Sequence, residues 1–430
     1  MEVTFTRINQ YLMHIAMYFL RLSRLWPIIP GLFLLFFFTQ PASAALFGKV
    51  VQPYGSYTFN PDENMLRIRD NQDPLRFLGT RNLFDMSHRL TGGVLIEKAI
   101  SRQRLSGNFS WSHTMYDRFS QLNNDSNSLS GRWNWFLGNR LEGIMGASNM
   151  QALSPFLFQP GIRNMRTEQT QFITAIWRLH PSWSLNGGFT HYDLTNDSPV
   201  SAFRFLNRIE NRFEGGIDYL TSGRNTVGVL FRNILGHFPA NIPTSDGSSV
   251  DTDYDQKEVL AKINWAVSHK SNLSGTGGWI DRTNASYQGR DFSGFNTRMI
   301  YRWQPTDKLG LSISGWRESA PLQNLTARFS LNTGASVTPY WNITEKVRLE
   351  GDFYYQTMKF QSFSSLSESS LIVGANNTLR NSTIRLIYNP YHGLQLNASV
   401  YNNYLKTDAV AGGFDVNGAN ITLMYTYGKR

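Results

Sequence analysis

The sequence predicts an all-β protein, a transmembrane antiparallel up-and-down β-barrel of about 18 strands (16–18) preceded by a cleavable signal peptide. Three observations predict it. Apolar and polar residues alternate with a period of two along almost the whole chain, the connections between these runs come in two lengths that take turns, and residues 1–44 read as a leader. The composition agrees. The 430 residues include 35 glycines and no cysteine, and 14% are aromatic, so a disulfide scaffold and a thiolate metal site are excluded and disorder fits poorly. With 41% apolar residues and a mean hydropathy below zero, a helical membrane bundle is excluded as well.

The leader sets the compartment. Arg7, Arg21 and Arg24 precede an apolar run from Ile28 to Phe38, and Gln40-Pro41-Ala42-Ser43-Ala44 supplies a small-x-small cleavage site. Cleavage after Ala44 leaves a barrel over residues 45–430. The leader takes three arginines and Glu2 out of the formal charge of +10, so the mature chain stands at +8 and the basic excess is its own. No later segment has the eighteen or more apolar residues of a spanning helix.

The alternation assigns two faces to each strand. Leu105, Gly107, Phe109 and Trp111 alternate with Ser106, Asn108, Ser110 and Ser112. Val259, Ala261, Ile263, Trp265 and Val267 alternate with Glu258, Lys262 and Asn264, and Val347, Leu349, Gly351, Phe353 and Tyr355 with Arg348, Glu350 and Asp352. Runs of about ten residues suffice for a tilted strand to cross a bilayer.

Connections sort by length. Short ones fall at 101–103, 138–140, 180–182, 221–224, 269–272, 305–308, 341–346 and 389–393. Long polar ones lie between them, at 60–87, 121–127, 151–166, 194–206, 236–253, 284–290, 319–326, 361–375 and 405–415. Short periplasmic turns and longer external loops, taken in alternation, place both ends of the barrel on the periplasmic side of an outer membrane. The segments 60–87 and 236–253 are the candidates for folding into the lumen.

On this reading the apolar face meets lipid, with Trp177, Trp183, Trp265, Trp303, Tyr425 and Tyr427 in aromatic girdles. The other face lines the lumen, and its charged residues are mostly arginines: Arg89, Arg132, Arg178, Arg208, Arg212, Arg232, Arg298, Arg302, Arg328, Arg348 and Arg385, with Glu258, Lys262 and Glu350 among them. Guanidinium forks suit carboxylate, sulfate or phosphate groups, so such a wall favours anionic solutes. Arg-Glu ladders that merely brace a wet wall are the competing reading. Lumen-facing Trp316 and Tyr354 are either sugar-stacking platforms or packing residues.

Catalysis has no legible constellation, and the sequence predicts no enzyme, no cofactor and no metal. No His-x-x-x-His or Gly-x-Ser-x-Gly spacing occurs. His113 beside Ser110 and Ser112 is the single hint of a nucleophile pair. Asp251-Thr252-Asp253-Tyr254-Asp255 resembles a calcium-loop fragment without the loop's glycine and distal glutamate. Basic residues that alternate along strands form no nucleic-acid patch.

Val51-Gln52-Pro53-Tyr54-Gly55-Ser56-Tyr57, the turn Asp62-Glu63-Asn64-Met65-Leu66-Arg67 and the closing Tyr425-Thr426-Tyr427-Gly428-Lys429-Arg430 resemble a family. It is the outer-membrane β-barrel proteins encoded with exosortase-associated exopolysaccharide biosynthesis genes, often called EpsL. The resemblance spans the mature chain and implies polysaccharide export or assembly, with no catalytic residues to carry over. Many outer-membrane barrels end in an aromatic residue read by the barrel assembly machinery; here Gly-Lys-Arg follows Tyr427.

The expectation is therefore an outer-membrane channel or assembly component through which an anionic exopolysaccharide passes passively. Its expected partners are that polymer, outer-membrane lipid, the assembly machinery and periplasmic polysaccharide-export proteins. The alternatives are a general or anion-selective uptake porin, a barrel enzyme acting on lipid or polysaccharide, and a structural barrel with a closed lumen.

Overall fold

A computed structural model describes residues 50–157, 160–223, 225–243, 249–284, 291–321, 327–362 and 376–428. The leader and its cleavage site lie outside the described residues. Eighteen antiparallel strands form one sheet closed on itself. They are β1 (Val51–Asp62), β2 (Asp85–Ile100), β3 (Gln103–Tyr116), β4 (Asn124–Leu137), β5 (Leu141–Leu153), β6 (Met165–His180), β7 (Trp183–Asp197), β8 (Arg208–Leu220) and β9 (Thr226–His237). The second half is β10 (Tyr254–Ser268), β11 (Ser271–Asn284), β12 (Phe292–Trp303), β13 (Leu309–Pro321), β14 (Ala327–Asn342), β15 (Val347–Ser362), β16 (Asn376–Tyr388), β17 (Leu394–Thr407) and β18 (Phe414–Thr426).

Each strand pairs with the next in the chain, and β1 closes the ring against β18, from Tyr54 opposite Thr426 to Phe59 opposite Ile421. Just past β18, Tyr427 donates its backbone N–H to the Pro53 carbonyl at 2.8 Å. Closure matters because lipid offers no hydrogen bond to an unpaired strand edge. The expected strand number and loop alternation are both observed.

Tight turns use backbone that only some residues take easily. Gly138 (φ 61°) opens the β4–β5 connection and Gly393 (φ 83°) closes the β16–β17 connection, both in the left-handed region, where a Cβ is penalised. Strands of 12 to 16 residues rise about 30–40 Å along the barrel axis at a tilt near 40°, more than an apolar band of about 25 Å. The surplus stands above the membrane at the end that carries the long loops.

The exterior is apolar through its middle. Phe109, Leu129, Phe213, Val229, Phe231, Val259, Ile384 and Val400 are exposed on the outer face, with Trp133, Trp177, Trp183, Trp265, Trp303, Trp341 and Tyr388 toward the short-turn end. Trp183 and Tyr219 touch with ring centroids 4.9 Å apart. A closed barrel with this belt is a bacterial outer-membrane protein, its short turns periplasmic and its long loops outside. Among the described residues no helix is long and apolar enough to cross a membrane.

Replacing Phe231 by arginine should cost about 2–4 kcal/mol, because it puts a charge on the lipid face near mid-depth. The lumen-facing substitution Ser336→Arg should cost less than about 1 kcal/mol. Denaturant unfolding of both variants in lipid vesicles checks the contrast.

Candidate functional site

Register assigns the inner face strand by strand. Glu258 stands opposite Arg232 and Ile280, Arg212 opposite Thr190 and Ile234, and Arg132 opposite Ser106 and Gly146. By the same parity Arg89, Arg178, Arg208, Lys262, Arg298, Arg302, Arg348, Glu350 and Arg385 face the lumen. Arg328 lies on β14 next to a register shift between Ala327 and Ser330.

Most of these charges are neutralised in place. Arg232 bridges two carboxylates, with Nε 2.5 Å from Glu214 and Nη1 2.8 Å from Glu258. Lys262 reaches Asp218 at 2.6 Å, and Arg178 reaches Glu142 at 2.5 Å. Arg298 forks onto Glu318 at 2.9 and 2.6 Å. Arg348 and Arg385 share Glu350 at 2.7 and 3.4 Å. Arg89 donates to the Thr114 hydroxyl at 3.1 Å.

The pairs extend into a network across β6 to β11. Tyr192 donates to Glu168 at 3.2 Å, Arg208 lies over the Tyr192 ring and 2.8 Å from Glu210, and Tyr254 donates to Glu210 at 2.9 Å. Arg282 stacks over Tyr254 at 4.3 Å and donates to Gln256 at 2.7 Å, and Gln256 donates to Glu258. The sequence reading missed Glu168, Tyr192, Tyr254, Gln256 and Arg282. Their signal was present, since each has the lumen parity of its strand. On the facing arc, Trp316 donates to Gln356 at 2.9 Å under Tyr354 and is only 6% exposed, which makes it a packing residue.

Arg132, Arg212 and Arg302 are different. Each faces the lumen with no ion-pair partner among the described residues, and the Arg212 Nε is buried without a hydrogen bond. Arg132 sits on an arc of wall otherwise lined by Ser106, Asn108, Ser110, Ser112, Ser128, Ser130 and Ser148. A cation facing water on such a wall is available to a passing anion.

A lid covers the external end. Four loops, 63–84, 117–123, 154–164 and 408–413, contribute to it. Met65, Leu66, Ile68, Phe119, Leu122 and Phe156 form one buried cluster. Leu157 packs on a second, built from Met358, Leu379, Leu405, Phe414 and Val416 on the inner faces of β15 to β18. Leu157, just past the end of β5, meets a wall many strands away, so this segment reaches across the mouth. It was not among the expected inward loops, whereas 60–87 was; part of 236–253 lies outside the described residues.

Asp62 anchors the lid. Its carboxylate accepts from the Asn64 amide at 2.9 Å, from both terminal nitrogens of Arg67 at 2.7 and 2.8 Å, and from Tyr401 at 2.6 Å. The Asp62-Glu63-Asn64 turn thus works as the lid's hinge post. Further along, Asn71 donates its backbone N–H to Ala411 O and its side chain to Val410 O, both near 3 Å. Gly412 takes φ 77° beneath it. Arg69 is 2% exposed, donates to Leu157 O at 2.5 Å and lies 5.1 Å over Phe414. Burial pushes its guanidinium down to about 10, against the opposing pull of Asp70.

His113 does not meet its serines. Its ring is on the outer face, stacked on Trp111 and 2.8 Å from Asp125, whereas Ser110 and Ser112 point inward. Period-two geometry puts neighbours in sequence on opposite faces, and the suggested pair is corrected on that ground. In the Asp251–Asp255 stretch, Asp253 accepts from His237 and the Phe238 amide, and Asp255 from Asn233. These carboxylates are spent on loop and cross-strand contacts.

No protein-family model and no curated protein matches the chain. Among solved structures, it is similar to a BenF-like porin from Pseudomonas fluorescens, with 9% identity and a TM-score of 0.46 over 88% of this chain and 99% of that one. It is likewise similar to OccK2 (OpdF) from Pseudomonas aeruginosa, with 6% identity and a TM-score of 0.46 over 89% and 98%. The siderophore receptor PirA from Pseudomonas aeruginosa matches with 9% identity and a TM-score of 0.40 over 90% and 81%.

Asp62→Ala removes the acceptor for Arg67, Tyr401 and the Asn64 amide together. It should loosen the lid locally by about 3 kcal/mol, seen as faster amide exchange over residues 64–70 while strand amides keep their protection.

Proposed function

We propose that the barrel is a passive uptake channel for small anionic solutes. The observation that carries this reading is that Arg132, Arg212 and Arg302 face the lumen with no ion-pair partner among the described residues, beneath a lid made of packed loops. An 18-stranded wall is wide enough to hold water, and fixed positive charge in it raises the local concentration of anions. A lid tied by Asp62 and Asn71 narrows the entrance. The paired arginines keep the wall polar and rigid without adding net field.

Export of an anionic exopolysaccharide, which the resemblance to EpsL-type barrels implies, makes a different demand. A polymer strand needs the lid out of its way. Because the chain has no cysteine, the pair Asn71→Cys and Ala411→Cys introduces a single crosslink between two loops already in backbone contact. On the uptake reading, oxidation leaves small-anion conductance within about twofold. On the export reading, oxidation stops polymer secretion in the native host.

The deciding measurement is ion selectivity in planar bilayers. Wild-type protein should prefer anions, and the triple substitution of Arg132, Arg212 and Arg302 by glutamine should lower the anion-to-cation permeability ratio at least about threefold. A cation-selective or non-conducting wild type, or an unchanged ratio in the variant, would remove the proposal.

A further inference from the structure

The outer face of β13 to β17 changes character toward the loop end. On β16 the outward residues run Tyr388, Leu386, Ile384, Ser382 and then Arg380; on β17 they run Leu396, Ala398, Val400, Asn402, Tyr404 and then Lys406. β15 follows Phe353 and Tyr355 with Thr357 and Lys359, and the outward series of β13 reaches Arg317 after Ile313 and Gly315. The rise from Tyr388 to Arg380 covers about 20 Å of membrane height at a tilt near 40°. That places Arg380 where the apolar band gives way to the headgroups of the outer leaflet.

These cations are grouped. Arg380 stands between Tyr355 and Tyr404 in register, with its guanidinium 3.9 Å over the Tyr404 ring. Lys406 is opposite Thr378, Lys359 opposite Leu331, and Arg317 opposite Thr333. Five strands at about 4.8 Å spacing make a patch roughly 20 Å across. Among the described residues, none of the four cations has a carboxylate partner. Of the carboxylates beside them, Asp415 on β18 accepts from Asn402 at 2.7 Å, and Asp408, two residues past Lys406, accepts from the backbone and side-chain nitrogens of Asn376 at 3.0–3.2 Å.

Among the described residues, the outer face of β4, β7, β10 and β11 carries carboxylates at its loop end instead. Asp125, Asp193, Asp255 and Asp281 face outward on β4, β7, β10 and β11, and Lys257 is 3.6 Å from Asp255. A general need for solubility would not put unpaired cations on one arc and carboxylates on another. Charge at this depth faces lipid headgroups, and each basic residue near an anionic surface gains about 1 kcal/mol.

We propose that Arg317, Lys359, Arg380 and Lys406 form a docking surface for the phosphate groups of a glycolipid in the outer leaflet. The guanidinium groups fork onto phosphate oxygens and the lysines supply point charge. Tyr355 and Tyr404 present ring faces to the sugars between the phosphates. This surface is independent of what passes through the lumen.

Full-length barrel purified in detergent is titrated with bisphosphorylated lipid A and with its dephosphorylated form, and bound lipid is counted by native mass spectrometry. Wild type should retain the phosphorylated form preferentially. Substituting all four cations by glutamine should weaken retention at least about tenfold, with little effect on the dephosphorylated lipid. Lys257→Gln on the acidic arc should change nothing. Equal retention of both lipids by wild type, or unchanged retention by the folded quadruple variant, would overturn the proposal. If the quadruple variant fails to fold, as judged by heat-modifiable mobility, Arg380→Gln and Arg380→Lys are compared. Retention restored by lysine and weakened by glutamine supports the surface, and equal retention by both and wild type sinks it.

Discussion

Every backbone N–H and C=O inside a bilayer must find its partner within the protein, and the rest of this structure follows from that constraint. Closure of β1 onto β18 satisfies it. Once the sheet is a ring, each strand has one face to lipid and one to the lumen, so parity alone decides whether a side chain meets hydrocarbon or water. Val259 and Glu258 are neighbours in sequence, yet one is half exposed to lipid and the other is bound to Arg232.

The inner wall resolves its charges by cross-strand pairing, and the pairing is uneven. Glu214, Arg232 and Glu258 sit on three consecutive strands at matching register, so one guanidinium ties them together. The arc around Arg132 has hydroxyls in place of carboxylates. Structural bracing and, on the proposed reading, solute attraction are thus served by different arginines of the same wall. The lid adds a third use, since Arg67 and Arg69 hold loops rather than face the lumen.

The sequence reveals faces far better than it reveals partners. Alternation with a fixed period places Arg348 and Glu350 on the lumen side without knowledge of any neighbour. It cannot say that Arg385, three dozen residues on, shares the same carboxylate, because that depends on register between strands. The lid was legible only as length. Leu157 packs on the cluster that holds Phe414 and Leu405 across the mouth, and nothing local in a polar loop marks one leucine as a lid residue. His113 and Ser112 were misleading for the opposite reason, since adjacency in a strand means separation in space.

The seam between the first and last strands also governs when the molecule can exist. Phe59 lies opposite Ile421, so the ring cannot close until nearly the whole polypeptide is available, and a sheet built on such distant partners folds slowly. Until then the chain must travel through water. The alternation that later sorts lipid from lumen keeps its hydropathy below zero in the meantime, leaving an unfolded chain that is soluble enough to be carried to the membrane where it closes.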